Sequence, residues 1–202
     1  MGQAGTAEAA VRYLRSAGVT PAPVEPLPRP DLRCVRADER APLAPAEFRR
    51  VLGTFATGVT VVTAPAADGE DAAAGPAGFA CQSFSSLSLD PPLVAFMVGR
   101  TSATWPRIAR AGAFCVNVLG AHQGELCRGF AVSGTDKFAG VAYDAAPVSG
   151  SPRLSGALAW IDCTIHAVHT GGDHLIVVGR VDALGTGTGD ARPLLFHRGR
   201  FI

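Results

Sequence analysis

Between Gly78 and Val94 the chain reads GFACQSFSSLSLDPPLV, which crowds Gln82, Ser83, Ser85, Ser86 and Ser88 together. Hydroxyls, one carboxamide and the backbone N–H groups beside them suit a phosphate, a ribityl-type polyol or the edge of a uracil-like ring. A strand that only had to pack would need fewer short donors. Serine is mostly exposed in proteins, so a Ser-rich strand end with its hydroxyls in water is the other reading, and composition leaves both open. A second cluster, Thr101-Ser102-Ala103-Thr104, stands before a helical pattern from Trp105 to Arg110, with Ser102 or Thr104 as N-cap and Pro106 in the first turn. Free N–H groups at a helix start, together with hydroxyls, make an anion site, and Arg100 could add charge. The same residues also serve as an ordinary cap.

His174 follows Gly171-Gly172-Asp173 and so opens a strand just after a tight turn. Asp173 could orient it, but successive strand residues point to opposite faces, so the carboxylate is expected on the other side. Two weaker patterns are set aside. Gly185-Thr186-Gly187-Thr188-Gly189 follows a strand but opens no helix, so it reads as a β-turn rather than a nucleotide loop. His166 and His169 have an odd spacing that puts them on opposite strand faces, and zinc would want more ligands nearby; no metal site is expected.

The elements that must hold these groups are mostly strands. A short helix from Pro45 carries Phe48, Val51, Leu52 and Phe55 at helical spacing, with Gly58 as its stop. Val59 to Thr63 is a β-branched strand, and Ala64 to Gly75 reads as a hairpin loop. Further strands are predicted near Gly78–Ser85, Leu93–Val98, Phe114–Leu119, Leu158–Val168 and Leu175–Leu184, with another helix from His122 to Phe130. Many strands, few helices and Gly-rich turns predict a closed antiparallel barrel. No βαβ alternation appears, which excludes a Rossmann fold. Residues 1–44 differ. Ala7 to Ala17 could form one short helix, and Pro21, Pro23, Pro26, Pro28 and Pro30 then favour an extended path. This segment reads as an arm or a disordered tail.

At 202 residues the chain suits one domain plus some extra. A net charge of +1 makes no electrostatic case for nucleic acid. Apolar runs such as Pro92 to Val98 are too short to span a bilayer, so no membrane association is expected. Met1 to Ala10 lacks a basic start and an apolar core, so no secretory signal is expected. The cysteines Cys34, Cys81, Cys115, Cys127 and Cys163 are odd in number, with no C-x-x-C, which fits reduced thiols in a cytoplasmic protein.

Taken in order, several motifs resemble the flavin reductase family with the FMN-binding split barrel, the reductase component of two-component flavin-dependent monooxygenases. They are Phe48 to Thr63, Gly78 to Val94, Thr101 to Trp105, Phe114 to Leu119, Gly172-Asp173-His174, and Phe196 to Phe201. The resemblance runs from about Pro45 to Ile202. It implies a mainly β fold, an antiparallel Greek-key split barrel with a few short helices in residues 45–202. It implies hydride transfer from NADH or NADPH to FMN or FAD, delivery of reduced flavin to a separate monooxygenase, and a homodimer with each flavin near the subunit boundary. Ser102 and Thr104 would then take the flavin phosphate. Ser83, Ser85, Ser86 and Ser88 would take the ribityl chain and part of the phosphate, with Cys81 and Gln82 near the ring edge. Thr57 and Asn117 join the cofactor-binding set. His174 is the catalytic candidate beside the nicotinamide, with Asp173 next to it. His197, Arg198 and Phe201 would approach the flavin.

This chain departs from the family pattern twice. Gln82 stands where Asn or a small residue is usual. Phe201 stands where Tyr is frequent, which keeps stacking and loses a phenol hydrogen bond. The alternatives are a non-catalytic flavin carrier, an oxidase for a substrate such as pyridoxamine phosphate, which would need a more basic pocket, and a scaffold built around residues 1–44. His174 and the C-terminal motif favour the reductase over the carrier.

Overall fold

The computed structural model describes residues 44–66, 75–134, 136–187 and 191–202. The expected arm up to residue 43, the tip of the loop after Ala64, and Thr188 and Gly189 lie outside the described residues. Helix α1 (Pro45–Leu52) is followed by β1 (Thr57–Gly58), β2 (Thr60–Ala64), β3 (Ala77–Cys81), β4 (Ser85–Leu89) and β5 (Pro92–Gly99). Next come α2 (Trp105–Ala111), β6 (Ala113–Val118), a 3-10 turn (Ala121–Gln123) and α3 (Gly124–Ala131). The chain ends with β7 (Tyr143–Ala145), β8 (Pro152–Leu154), β9 (Ala159–Gly171), β10 (His174–Thr186), β11 (Leu195–His197) and β12 (Arg200–Phe201).

The main sheet has seven strands in the order β3-β2-β6-β9-β10-β5-β4, every neighbouring pair antiparallel. Its two edges, β3 and β4, are consecutive in the chain, so the sheet curls until its ends approach. Phe79 of β3 and Phe96 of β5 meet with ring centroids 5.9 Å apart. The result is an antiparallel split β-barrel. Its interior is filled by Val62, Phe96, Phe114, Val116 and Val177, with Ile108 of α2 buried among them. Phe96 meets Phe114 edge-on at 5.1 Å and Trp105 at 6.4 Å. Such tilted aromatic pairs contribute beyond their buried area. A second apolar cluster lies under α3, where Cys127 and Phe130 pack with Val59, Val61 and Leu119. Gly78 permits this contact: a Cβ there would lie 2.8 Å from Phe130 Cε1.

Three expectations need correction. Helix α1 stops at Leu52, not near Gly58. The Gly53 N–H donates to Arg49 O, and Thr54 Oγ1 donates to Val51 O at 2.6 Å, closing the helix three residues before Phe55. Phe55 therefore leaves the helical face and is 75% exposed, and Gly58 pairs in β1 with Leu195 instead. Gly185 and Thr186 belong to β10, opposite Trp160 and Ala159, rather than to a turn. Gly185 makes room for the indole, since a Cβ would fall 2.7 Å from Trp160 Cζ2. Finally, the single strand expected over Gly78–Ser85 is two strands, broken at Gln82–Phe84. That break builds the site.

Candidate functional site

The outer edge of β5 has two halves. Its first half pairs with β4, from Leu89 opposite Pro92 to Ser85 opposite Ala95. At Met97 a side chain replaces the strand: Ser83 Oγ accepts the Met97 N–H at 2.9 Å and donates to the Met97 carbonyl at 3.1 Å. The hydroxyl thus satisfies a peptide that would otherwise need water or a neighbouring strand. Cys81 Sγ sits 3.3 Å from Ser83 Oγ, and burial pushes its thiol pKa up, so it remains a neutral wall. Thr57 Oγ1 donates to Gln82 Oε1 at 3.2 Å, which ties β1 to the break.

This seam is the floor of a groove of about 1090 Å³. Phe48 and Leu52 of α1 form one wall, and Phe79, Met97 and Val98 add apolar surface. Cys81, Gln82, Ser83, Ser102, Thr104 and His174 all line it, so the structure gathers these sequence-predicted residues into one place.

At one end stands the Thr101–Thr104 loop. Ser102 Oγ accepts the Trp105 N–H at 3.2 Å, and Arg107 N–H goes to Thr104 O at 3.1 Å. Pro106 has no N–H. Among the described residues the Ala103 and Thr104 N–H groups have no protein acceptor, and both hydroxyls keep a donor. A smaller cleft of about 260 Å³ adjoins this end and is lined by Thr104, Arg107, Asp136 and Lys137. Lys137 Nζ donates to Gly78 O at 3.2 Å and Phe130 O at 3.1 Å, and partial burial lowers its pKa. The Arg107 guanidinium reaches the carbonyls of Gly75 and Pro76. The positive groups beside this loop are therefore Arg107 and Lys137; Arg100 is exposed and does not line the groove.

His174 opens β10, opposite Gly99 of β5 and Gly171 of β9, and the Arg100 N–H donates to Asp173 O at 3.0 Å, so this pair stands beside the start of the Thr101–Thr104 loop. Asp173 does not point away. It lies in the Gly172–Asp173 turn rather than on the strand, so strand alternation does not govern it. Its Oδ1 lies 2.8 Å from His174 Nδ1. That hydrogen bond and the imidazole's charge hold the Asp173 carboxyl below its ordinary range. With Nδ1 engaged, Nε2 is left for a ligand. Nε2 faces Gly99, where a Cβ would lie at 3.9 Å, an ordinary van der Waals contact.

Other expected residues lie elsewhere. Ser85, Ser86 and Ser88 are on β4 outside the groove; Ser85 Oγ turns to Ser86 O at 3.0 Å. Asn117 is fully buried in β6 between β2 and β9. Its Nδ2 donates to Val61 O, Thr63 Oγ1 and Pro152 O at 3.2–3.3 Å, and its Oδ1 accepts Leu154 N–H at 2.7 Å. A side chain so fully used by the protein cannot also contact a cofactor. His197, Arg198 and Phe201 lie on the β11–β12 hairpin and do not line the groove. Phe201 packs on Phe196 at 5.6 Å, under the Arg128 guanidinium at 5.3 Å. Sequence reasoning did not single out Phe79, Met97 or Lys137 for the site. A sequence signal existed for none of them, because each enters through tertiary packing.

The "Flavin reductase like domain" family matches residues 52–202. The chain belongs to that family. The reductase subunit HsaB of a flavin-dependent monooxygenase from Rhodococcus jostii (strain RHA1) is 50% identical over 157 residues, covering 78% of this chain and 76% of that one. The crystal structure of a nitrilotriacetate monooxygenase component B homologue from Mycobacterium thermoresistibile aligns with TM-score 0.72 at 47% identity, covering 78% and 84% of the two chains. The Streptomyces globisporus NADH:FAD oxidoreductase SgcE6, in complex with NAD and FAD fragments, aligns with TM-score 0.70 at 38% identity, covering 78% and 90%.

The groove of this family member fits a flavin. It is as large as ligand sites usually are, roughly 300–1,000 Å³. Its apolar wall suits a flat ring system, and its Thr101–Thr104 end offers unused N–H and O–H donors beside two cationic side chains. That donor set suits a phosphate. Among the described residues no three His, Cys, Asp or Glu are grouped to hold a metal, and no helix is long and apolar enough to cross a membrane.

Proposed function

We propose that the protein is an NAD(P)H:flavin oxidoreductase that reduces FMN or FAD and supplies the reduced flavin to a separate monooxygenase. One observation carries this: a single groove joins a phosphate-type end, a flat apolar wall and the Asp173–His174 pair. The flavin, when bound, supplies the acceptor for a hydride from the reduced nicotinamide. The chain's own residues do the rest. Ser102, Thr104 and the Ala103 and Thr104 N–H groups hold the phosphate, with Lys137 and Arg107 supplying charge. Ser83 and Gln82 present polar atoms along the seam while Phe79 and Met97 exclude water from the ring face. His174 orients the donor through Nε2, and Asp173 fixes which ring nitrogen carries the proton. Stacking two rings at near-attack distance, about 3–3.5 Å, is the main task, and it needs no acid–base pair of its own.

Neutral hydroxyls and few charges favour a flavin that exchanges rather than one held permanently. A homodimer accords with α1, which buries none of its residues and exposes Phe48, Val51 and Leu52 at about half their surface. A patch of that kind on a small protein calls for a partner. A cytoplasmic setting accords with the free thiols Cys81, Cys115, Cys127 and Cys163. The test is initial-rate oxidation of NADH and NADPH with FMN, FAD or riboflavin added. Acceleration by a flavin is expected. No acceleration by any flavin with either donor would overturn the proposal and leave a carrier.

A further inference from the structure

Strands β9 and β10 pair over their whole length, from Gly171 opposite His174 to Ala159 opposite Thr186. At about 3.3 Å per residue the two ends of this ladder lie roughly 40 Å apart along the strand. The end far from His174 carries a second cleft, of about 500 Å³, that shares no lining residue with the groove. Leu154, Ala157 and Trp160 give it an apolar wall.

Arg153 dominates its polar side. Arg153 and Asp144 stand directly opposite each other in the β7–β8 ladder. Their nearest N···O approach is 3.7 Å, too long for a hydrogen bond. The guanidinium instead lies over the Trp160 ring, 4.9 Å from its centroid. That contact uses the face of the guanidinium. Its edge, which carries five N–H donors, has no hydrogen-bond acceptor among the described residues. The side chain is only 33% exposed, so the fork is already held in place. A fork ordered beforehand loses less on binding a ligand. Covering an indole is a sufficient task for an arginine stem. It does not explain the further polar groups at the same rim. The Ser155 N–H donates to Ala142 O at 3.0 Å and its carbonyl accepts Gln123 Nε2 at 3.0 Å, so the residue is pinned while its hydroxyl has no partner among the described residues. The His122 ring comes in over Gly156, whose φ is +78° and where a Cβ would lie 3.3 Å from His122 Nε2.

We propose that this cleft binds a small organic monocarboxylate with a compact apolar body, an aromatic or alicyclic acid. The Arg153 fork takes the two carboxylate oxygens as a bidentate pair. Ser155 and His122 stand at the same rim, and Leu154 and Ala157 cover the apolar body. Asp144, at the cleft beside Arg153, repels a second negative charge, which favours a monoanion over a nucleotide or a polyanion. The volume lies within the range of small-molecule sites, roughly 300–1,000 Å³. Because the cleft and the groove share no residue, the acid and a flavin bind together rather than in competition.

The experiment uses the full chain, with benzoate as the probe. Of the two tryptophans, Trp160 lines the cleft, whereas Trp105 starts α2 beside the Thr101–Thr104 loop. Their indole N–H signals in proton–nitrogen correlation spectra, assigned with Trp160→Phe, therefore distinguish the two places. Benzoate, titrated at constant pH and ionic strength, should shift the Trp160 signal saturably and leave the Trp105 signal in place, with the same Kd whether FMN is present or absent. Arg153→Met keeps a stem over the indole and loses the fork; it should raise the Kd about tenfold or more, the scale of hydrogen bonds lost to a charged group. Arg153→Lys keeps the charge and should not restore binding, because the fork is gone. Thermal melting without benzoate checks that each variant is folded. Benzamide, the same shape without the charge, makes the test on the wild type alone and should bind at least tenfold more weakly. The proposal is overturned if benzoate gives no saturable shift at Trp160, if benzamide binds as tightly, if a folded Arg153→Met binds as the wild type does, or if FMN displaces benzoate. Tighter binding of inorganic phosphate than of benzoate overturns it too, since the cleft would then be a general anion site.

Discussion

Replacing Asn117 with Leu tests whether this buried amide serves the fold or the cofactor. Leu is close in size, so little cavity is made and the effect is mainly polar. Asn117 Oδ1 is the acceptor for the Leu154 N–H, which would be left buried without a partner. An orphaned buried donor costs about 1–3 kcal/mol. Nδ2 spreads two protons over three acceptors, Val61 O, Thr63 Oγ1 and Pro152 O. Pro152 O keeps the Thr63 hydroxyl as a donor, so the loss on that side is smaller, about 1 kcal/mol for each of two hydrogen bonds. The sum is about 3–5 kcal/mol. For a domain of this size that lowers Tm by about 10 °C, at ~2–4 °C per kcal/mol. Urea denaturation followed by circular dichroism measures the stability, and fluorescence titration measures flavin affinity on the folded fraction. Stability should fall and affinity should hold. A variant as stable as the wild type but unable to bind flavin would refute the reasoning and restore Asn117 to the site.

Four further outcomes are expected. Ser102→Ala with Thr104→Ala should weaken FMN by about 1.5–3 kcal/mol for each lost hydrogen bond to phosphate and leave riboflavin almost unchanged; titration of both flavins decides, and equal losses mean a capping role only. His174→Ala should slow reduction of bound flavin by NAD(P)H about tenfold or more, each ~1.4 kcal/mol of lost alignment being a factor of ten, with Asp173→Asn giving a smaller loss in the same direction; stopped-flow at the wild-type rate would move the role elsewhere. Burial pushes the Cys115 thiol up to about 12 and raises Cys81, Cys127 and Cys163 as well. A thiol raised on folding stabilises fully below its unfolded pKa, about 8.5, and that contribution is lost as pH climbs from there toward the folded value. Tm should therefore hold to about pH 8 and then decline, and in a Cys34→Ser variant no thiol should react with a disulfide reagent before unfolding. Deleting residues 1–40 should leave a folded, flavin-binding domain, judged by circular dichroism and flavin titration.

The strand pattern was legible because β-branched runs such as Val59 to Thr63 report burial on a sheet directly. The order of the motifs carried the family for a different reason: separated segments rarely recur together by chance. What was not legible depended on tertiary partners. The strand break at Gln82 cannot be read from Gln82, because it is the approach of Met97 from β5 that lets Ser83 replace a ladder. Asp173 escapes the alternation rule because it lies in a turn, one residue before the strand begins. Asn117 in a core and Asn117 on a ligand are the same letter, and only burial distinguishes them. Ser85, Ser86 and Ser88 shared the composition of Ser83, yet lie on the edge strand outside the groove. Lys137 enters the site only because the chain after α3 turns back to Gly78 and Phe130.

The Ser83–Met97 contact also sets how the barrel breathes. A ladder hydrogen bond opens with its neighbours, as part of a cooperative unit. The Met97 amide is held by one rotatable hydroxyl, so it is released by a single χ1 rotation of Ser83 while β10 keeps its own pairing with β5. Any ligand that lies along the floor of the groove and prefers the closed form stabilises that form by RT ln(1 + [L]/Kd). Hydrogen exchange at this one amide therefore becomes a meter of occupancy, slow when the groove is filled and fast when it is emptied. The amides around the fully buried Phe96 and Phe114 should take no part in it.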